Sequence, residues 1–164
     1  GHGITCVSDL ENEDEVRKVI LALSQDIGHK LRVHGLSTRT VQIYVRGNDL
    51  FGSQFQCKLP IKTQLPSEIA AAAFRCFQER YTWNTKVRAV TVRAIELSPR
   101  SDAEQISLFD NVQQRIAKEK VQDAVEEIRG RFGKAAVTYA SLLGDLKMPA
   151  DGRDKVIMPG IMYQ

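Results

Sequence analysis

The stretch Thr40-Val41-Gln42-Ile43-Tyr44-Val45-Arg46 alternates between apolar and polar side chains. The odd positions carry valine and isoleucine, and the even positions carry Gln42, Tyr44 and Arg46. Successive side chains of a β-strand point to opposite faces of the sheet. The stretch therefore predicts a strand that buries one face and leaves a polar face open.

Further strands and helices are predicted on both sides of this stretch. Apolar residues at helical spacing between Val16 and Leu31 indicate a helix, which acidic residues precede and Gly35 follows. A second apolar stripe begins after Pro66, a residue favoured at the first position of a helix. The predicted elements are strands at 4–7, 40–46, 55–59 and 86–97, and helices at about 12–34 and 66–82.

The resulting order is β-α-β-β-α-β, which predicts an α+β fold: a four-stranded sheet with two helices on one face, in a ferredoxin-like or split βαβ arrangement. A helical C-terminal extension follows. Its first helix starts at Asp110 or Asn111 and ends near Gly130, and a shorter helix covers 134–143. We predict three regions: a domain at 1–98, a linker at 99–110, and the extension with an irregular tail at 111–164.

The open face of the predicted sheet carries hydroxyl, amide and basic groups and no acidic residue. Its members are Thr5, Gln42, Tyr44, Arg46, Gln54, Gln56, Lys58, Thr91 and Arg93. Such groups bind phosphate oxygens without reading bases. An antiparallel sheet also commonly exposes a polar face that binds nothing, so both interpretations stay open. With Tyr44 as its one aromatic residue, the face favours backbone binding over the base stacking of single-strand readers.

Charge is distributed unevenly along the chain. Residues 1–100 carry 14 Lys and Arg against 10 Asp and Glu, a net charge of +4, and residues 101–164 carry 9 against 10, a net charge of −1. The basic excess thus lies in the region that contains the sheet. It is compatible with a polyanionic partner but does not require one.

A second candidate site is the linker stretch Gln105-Ile106-Ser107-Leu108-Phe109. An exposed apolar pair commonly marks a partner site, and an aromatic anchor in a pocket is the usual centre of such an interface. The alternative is that Phe109 packs back on the following helix as a hydrophobic staple.

The sequence offers little for metal or membrane binding. Cys6, Cys57 and Cys76 are widely spaced, which is typical of buried thiols in a reducing cytosol. The three histidines have no metal-binding spacing, and no apolar run approaches the ~18 residues of a membrane span. Because Gly1 leads directly into a strand, we expect a piece of a longer, cytoplasmic protein.

Several segments together resemble one family. Gly1–Thr5, Arg32–Val41 and Val87–Arg93 are similar to three parts of the little-finger domain of Y-family translesion DNA polymerases. Gln105–Phe109 resembles the sliding-clamp-binding motif that follows this domain in bacterial members. Ile128–Gly133 with Ala140–Leu143 resembles the helical end of the DinB/UmuC-like, ImpB/MucB/SamB group.

The resemblance implies a role in DNA repair, damage tolerance and the SOS response, with primer-template DNA and a sliding clamp as partners. It implies DNA contacts at His2, Thr5, Ser53, Gln54, Gln56, Arg88 and Arg93, and clamp contacts at Gln105, Ser107, Leu108 and Phe109. No catalytic residue and no cofactor is implied for this segment, since the palm that holds Mg²⁺ in these enzymes would precede Gly1. A weak homodimer or crystal dimer stays open, as do a protein-interaction module acting through the C-terminal helices and an RNA-binding domain.

Overall fold

The computed structural model describes residues 1–101 and 112–149. Four strands form one antiparallel sheet in the order β1-β4-β2-β3. They are β1 (His2–Leu10), β2 (Leu36–Gly47), β3 (Gly52–Thr63) and β4 (Val87–Pro99), and the helices are α1 (Glu13–Val33), α2 (Pro66–Arg80) and α3 (Val112–Phe132). β4 separates β1 from β2, and β2 separates β4 from β3, so both helical crossovers are split βαβ units. The predicted α+β fold class is confirmed.

The predicted alternation along β2 determines the core. Val41, Ile43 and Val45 are at most 1% exposed and pack under α1 and α2. α1 begins where expected, because the Asn12 side chain accepts a hydrogen bond from the Glu15 amide at 2.9 Å. The apolar faces of sheet and helices therefore enclose one core, and α1 and α2 both lie on the same side of the sheet.

α3 packs on this domain through its polar side. Arg129 donates to the Gln25 side chain of α1 at 2.5 Å, and Arg32 forms an ion pair with Asp123. Gln122, on the same side, is 8% exposed. Four of the apolar residues that predict the helix, Ile116, Val121, Ala124 and Ile128, are exposed. The sequence predicts the helix but does not show which side of it is packed.

The predicted helix at 134–143 is wrong. The structure has two short 3-10 turns there, Lys134–Ala136 and Ala140–Leu142, separated by extended backbone at Val137. Arg129 donates from Nε and Nη2 to the carbonyl oxygen of Val137 at 3.0 and 2.6 Å. That carbonyl is thereby satisfied without a helical partner, so the chain stays extended.

The segment after α3 runs back along α1 to β1. Lys134 pairs with Asp26 of α1 at 2.7 Å, and Lys147 pairs with Glu15, near the start of α1, at 2.8 Å. The carbonyl of Lys147 then accepts a hydrogen bond from the Val7 amide of β1 at 2.9 Å. Residues 134–147 thus fasten the C-terminal extension to the domain. None of the helices in the described ranges has the length and apolar character needed to cross a membrane.

Candidate nucleic-acid interface

The sheet face opposite the helices stays uncovered by the described residues. α1 and α2 pack on one face, and α3 contacts those helices through Gln25 and Glu68. Cross-strand register sets the rows of the open face, because residues directly opposite each other share a face. The rows are Gln56-Gln42-Arg93, Gln54-Tyr44-Thr91-Gly3 and Gly52-Arg46-Ala89-Thr5.

Two arginines border a shallow depression on this face. Arg93 donates from Nη1 to Oε1 of Gln42 at 3.0 Å, and Arg46 reaches across β4 to Oγ1 of Thr5 at 3.4 Å. The depression has a volume of 440 Å³, and Tyr44 and Thr91 line it together with these arginines. Its hydroxyl and guanidinium groups can donate hydrogen bonds to an anion such as a phosphate.

Two glycines let side chains lie close to the sheet surface. A β-carbon on Gly3 would overlap the side chain of Thr91 on the neighbouring strand, 2.9 Å from its β-carbon. A β-carbon on Gly52 would overlap the ring of Tyr44, 2.7 Å from Cζ. The missing side chains therefore hold Thr91 and Tyr44 flat, which keeps the open face shallow enough for an extended ligand.

One carboxylate approaches this side of the sheet. Glu96 accepts a hydrogen bond from the hydroxyl of Thr40, which shares the face of Gln42. Glu96 lies in the left-handed region with φ of 51°. The nine predicted positions carry no acid, but Glu96 adds a negative group beside the row of Thr40 and Lys58, one row beyond Arg93.

Four of the seven predicted DNA contacts lie on the open face: Thr5, Gln54, Gln56 and Arg93. His2 and Ser53 do not. His2 is paired with Val92 in the register and its Nδ1 lies 2.7 Å from Asp26 of α1, on the helical side. Ser53 is opposite the core residue Val45. The strand register therefore places the side chains of these two residues off the open face, and their predicted DNA contacts stay predictions.

Arg88 is exposed but is held by an acidic neighbour. Its Nε donates to Asp9, which also accepts from Asn48 at 3.3 Å. The hydrogen bond from Arg88 lowers the pKa of the Asp9 carboxyl. The register of β2 and β4 shifts between Arg46 and Gly47, and this irregularity lies beside Arg88, between Val87 and Ala89. Its charge is thus largely neutralised by Asp9.

The resemblance to the family did not point to Arg46, Tyr44 or Thr91 as contacts, although all three line the depression. The alternation along β2 and β4 already placed them on the open face. The clamp-binding prediction, Gln105, Ser107, Leu108 and Phe109, lies outside the described residues. Within residues 1–101 and 112–149, no three His, Cys, Asp or Glu side chains are arranged to hold a metal ion.

Comparison with known proteins identifies the class. The family model described as the impB/mucB/samB family C-terminal domain matches residues 1–108, and the chain belongs to this family, as the sequence predicted.

Individual relatives carry more specific names. A DNA polymerase IV of Acetivibrio thermocellus is 37% identical over 145 residues, which cover 88% of this chain and 36% of the relative. DNA polymerase IV 2 of Bacillus subtilis is 32% identical over 148 residues, covering 87% and 34%. The chain thus spans about a third of the length of these relatives. A solved structure titled as a complex of the beta-clamp processivity factor and the little finger domain of PolIV matches 66% of this chain at 17% identity, with a TM-score of 0.47.

Proposed function

We propose that this chain is the DNA-holding and clamp-docking part of an error-prone translesion DNA polymerase. Nucleotide transfer would be carried out by a Mg²⁺-dependent palm elsewhere in the parent protein. The setting we propose is the cytoplasm of a bacterium during the SOS response to DNA damage. Membership of the impB/mucB/samB family and the names of the relatives support this proposal.

The uncovered sheet face is the observation that carries DNA binding. Arg46 and Arg93 border a depression lined by hydroxyl groups, and Lys58 extends the basic character along β3. These groups would contact sugar-phosphate backbone and leave base edges unread. We therefore expect binding to primer-template DNA that varies little with sequence and strongly with salt.

The test is a salt titration of DNA binding measured by fluorescence anisotropy. Each phosphate neutralised by a protein cation contributes about 0.9 to the slope of log K against log salt. Replacing both Arg46 and Arg93 by alanine should lower that slope by about 1.8 and weaken binding at low salt. Arg17→Ala is the matched control, because Arg17 is an exposed arginine on α1, where it pairs with Asp14 at 3.1 Å.

Two results would contradict the assigned face. An unchanged slope in the double variant would show that DNA binds elsewhere, and a loss with Arg17→Ala of about half that in the double variant would show an effect of net charge alone. Circular dichroism of each variant should match the parent chain, because Arg46 and Arg93 lie outside the hydrophobic core.

The clamp-docking part of the proposal depends on Gln105–Phe109. Leu108 and Phe109 would fill an apolar pocket of the clamp, and Gln105 would bind a polar subsite beside it. Phe109→Ala should weaken binding to a purified bacterial sliding clamp by ~2 kcal/mol or more, the scale of an interface hot spot. Ile106→Ala is the control, since Ile106 is not one of the predicted clamp contacts. Equal affinity of both variants in calorimetry would remove clamp docking from the proposal.

A further inference from the structure

α3 presents an apolar stripe to solvent. Val121, Ile128 and Phe132 are 65%, 40% and 75% exposed, and two small residues, Ala117 one turn before Val121 and Ala124 between Val121 and Ile128, are exposed as well. Spacings of four, three, four and four residues keep these side chains on one face of the helix. A folded domain seldom leaves such a row of apolar residues without a partner.

The other side of α3 accounts for its attachment to the domain. Arg129 bonds to Gln25, Glu126 pairs with His29 at 2.7 Å, and Glu119 pairs with Arg100 at 3.0 Å. Polar contacts hold this helix, while its apolar stripe faces away from the domain. Within the part of the chain that the structure describes, the apolar face of this helix is therefore left uncovered and can pack against a second surface.

Charged residues at the edges of the stripe make it complementary to itself. Lys120 and Glu127 are exposed on one edge, seven residues apart, with Ala124 nearly midway between them. If two copies of α3 meet antiparallel about a two-fold axis near Ala124, Lys120 of each copy lies opposite Glu127 of the other. On the other edge, Lys118 of each copy lies opposite the exposed ring of the other's Phe132, a cation–π arrangement.

We propose that α3 is a self-association surface, through which two copies of this chain pair antiparallel. The stripe from Ala117 to Phe132 covers about 24 Å of helix, and Ala124 at its centre lets the helices approach closely. A contact of that length falls at or below the ~1,200 Å² of a stable interface. The dimer is therefore weak and reversible, and it leaves the open sheet face accessible. This inference does not depend on DNA or clamp binding.

Reversing the charges of Lys120 and Glu127 tests the antiparallel dimer. Sedimentation equilibrium of the full chain measures the dissociation constant. Lys120→Glu and Glu127→Lys each turn two attractive pairs of the dimer into repulsive ones, and each should raise the dissociation constant about tenfold. The double variant restores opposite charges, and its dissociation constant should return to within about twofold of the parent value. An antiparallel pair requires this rescue, which a change in general helix stability would not produce.

Further variants test whether a second copy of the chain, and not its own C-terminal tail, covers the apolar stripe. Ile128→Gln should weaken association, and Val7→Gln should not, because Val7 is equally exposed, at 67%, on β1 away from α3. A chain that stays monomeric up to about 1 mM overturns the proposal. So does a chain that associates only after residues 151–164 are deleted, because the stripe would then be covered by its own tail. Failure of the charge rescue also overturns it.

Discussion

Arg93 on β4 donates a hydrogen bond from Nη1 to the side-chain oxygen of Gln42, its cross-strand neighbour on β2, at 3.0 Å. The bond uses one of the five N–H donors of the guanidinium group. Gln42 is 8% exposed, so it acts as a buried support beneath the more exposed arginine. Gln42 therefore positions the charged guanidinium group of Arg93 on the sheet face and does not neutralise it.

Gln42→Glu should neutralise the charge of Arg93, because glutamate has almost the same size and shape as glutamine but carries a negative charge. The new carboxylate would pair with Arg93, and the slope of log K against log salt for DNA binding should fall by about 0.9, as expected for one lost phosphate contact. Anisotropy titration measures the slope. Gln113→Glu, on exposed α3, adds the same charge away from the sheet and should leave the slope unchanged. A normal slope in Gln42→Glu would mean that Arg93 does not contact phosphate.

Gly3→Ala should destabilise the domain, since the added β-carbon would overlap Thr91. Overpacking of this kind costs about 1–3 kcal/mol, which urea denaturation can measure. Thr91→Gly should remove most of the clash, so the two substitutions should show a favourable coupling in a double-mutant cycle. Gly130→Ala is the control. Outside its own helical backbone, no atom of the described residues lies within 4 Å of the β-carbon added at Gly130, and the alanine in helix α3 should stabilise by roughly 0.5–1 kcal/mol. Additive costs at Gly3 and Thr91 would contradict the close contact.

Arg129→Met should release the C-terminal extension from the domain. The side chain is 10% exposed and bonds to both Gln25 and the Val137 carbonyl. Losing these bonds should cost about 2 kcal/mol of docking energy and speed amide exchange in α3 by roughly 30-fold. Amides of β2 should keep their protection. Arg131→Met is matched to it, because Arg131 is 69% exposed and pairs only with Glu127 among the described residues. Uniform loss of protection across the sheet would instead indicate global unfolding.

The buried thiol of Cys76 should make stability depend on pH in the alkaline range. Burial, with a further effect of the nearby Cys57 thiol, raises the pKa of Cys76 from 9.0 to about 12. The unfolded chain then loses this proton first, so the free energy of unfolding is unaffected below about pH 8.5 and falls as pH rises toward 12.

Urea denaturation at several pH values checks this expectation. Cys76→Ala should show a shallower fall than the parent chain above about pH 8.5. Ser24→Ala is the control, because Ser24 is fully buried but does not titrate in this range. It should shift the curve by a constant amount. Equal slopes in all three chains would show that Cys76 does not contribute to the alkaline loss of stability.

The sheet could be predicted from the sequence because the alternation of apolar and polar residues indicates which face of a strand each side chain lies on. The same rule places two predicted DNA contacts, His2 and Ser53, on the helical side of the sheet. His2 shares its parity with Ile4 and Cys6, which pack against or within the core, and Ser53 shares its parity with Phe55 and Cys57. Similarity to the family pointed to both residues, but the side of a strand is fixed by register, and similarity of position does not alter it.

The structure of the C-terminal extension could be predicted less well. Periodicity locates an apolar stripe but does not show whether the stripe or the opposite side is packed. α3 packs through polar partners 91 to 104 residues distant in sequence, such as Asp123 with Arg32 and Arg129 with Gln25. The two hydrogen bonds from Arg129 also favour extended backbone at Val137, where local pattern predicted a helix.

The hydrogen bond from the Val7 amide to the Lys147 carbonyl lies at an edge of the sheet. β1 is an edge strand, and edge strands expose backbone groups that can recruit strands from other molecules. The Val7 amide donates its hydrogen bond to the carbonyl oxygen of Lys147, and the ammonium group of Lys147 donates to the backbone carbonyl of Asp9 at 3.0 Å. The returning segment therefore occupies one backbone donor and one backbone acceptor at this border, which leaves fewer groups for a strand of another molecule to pair with.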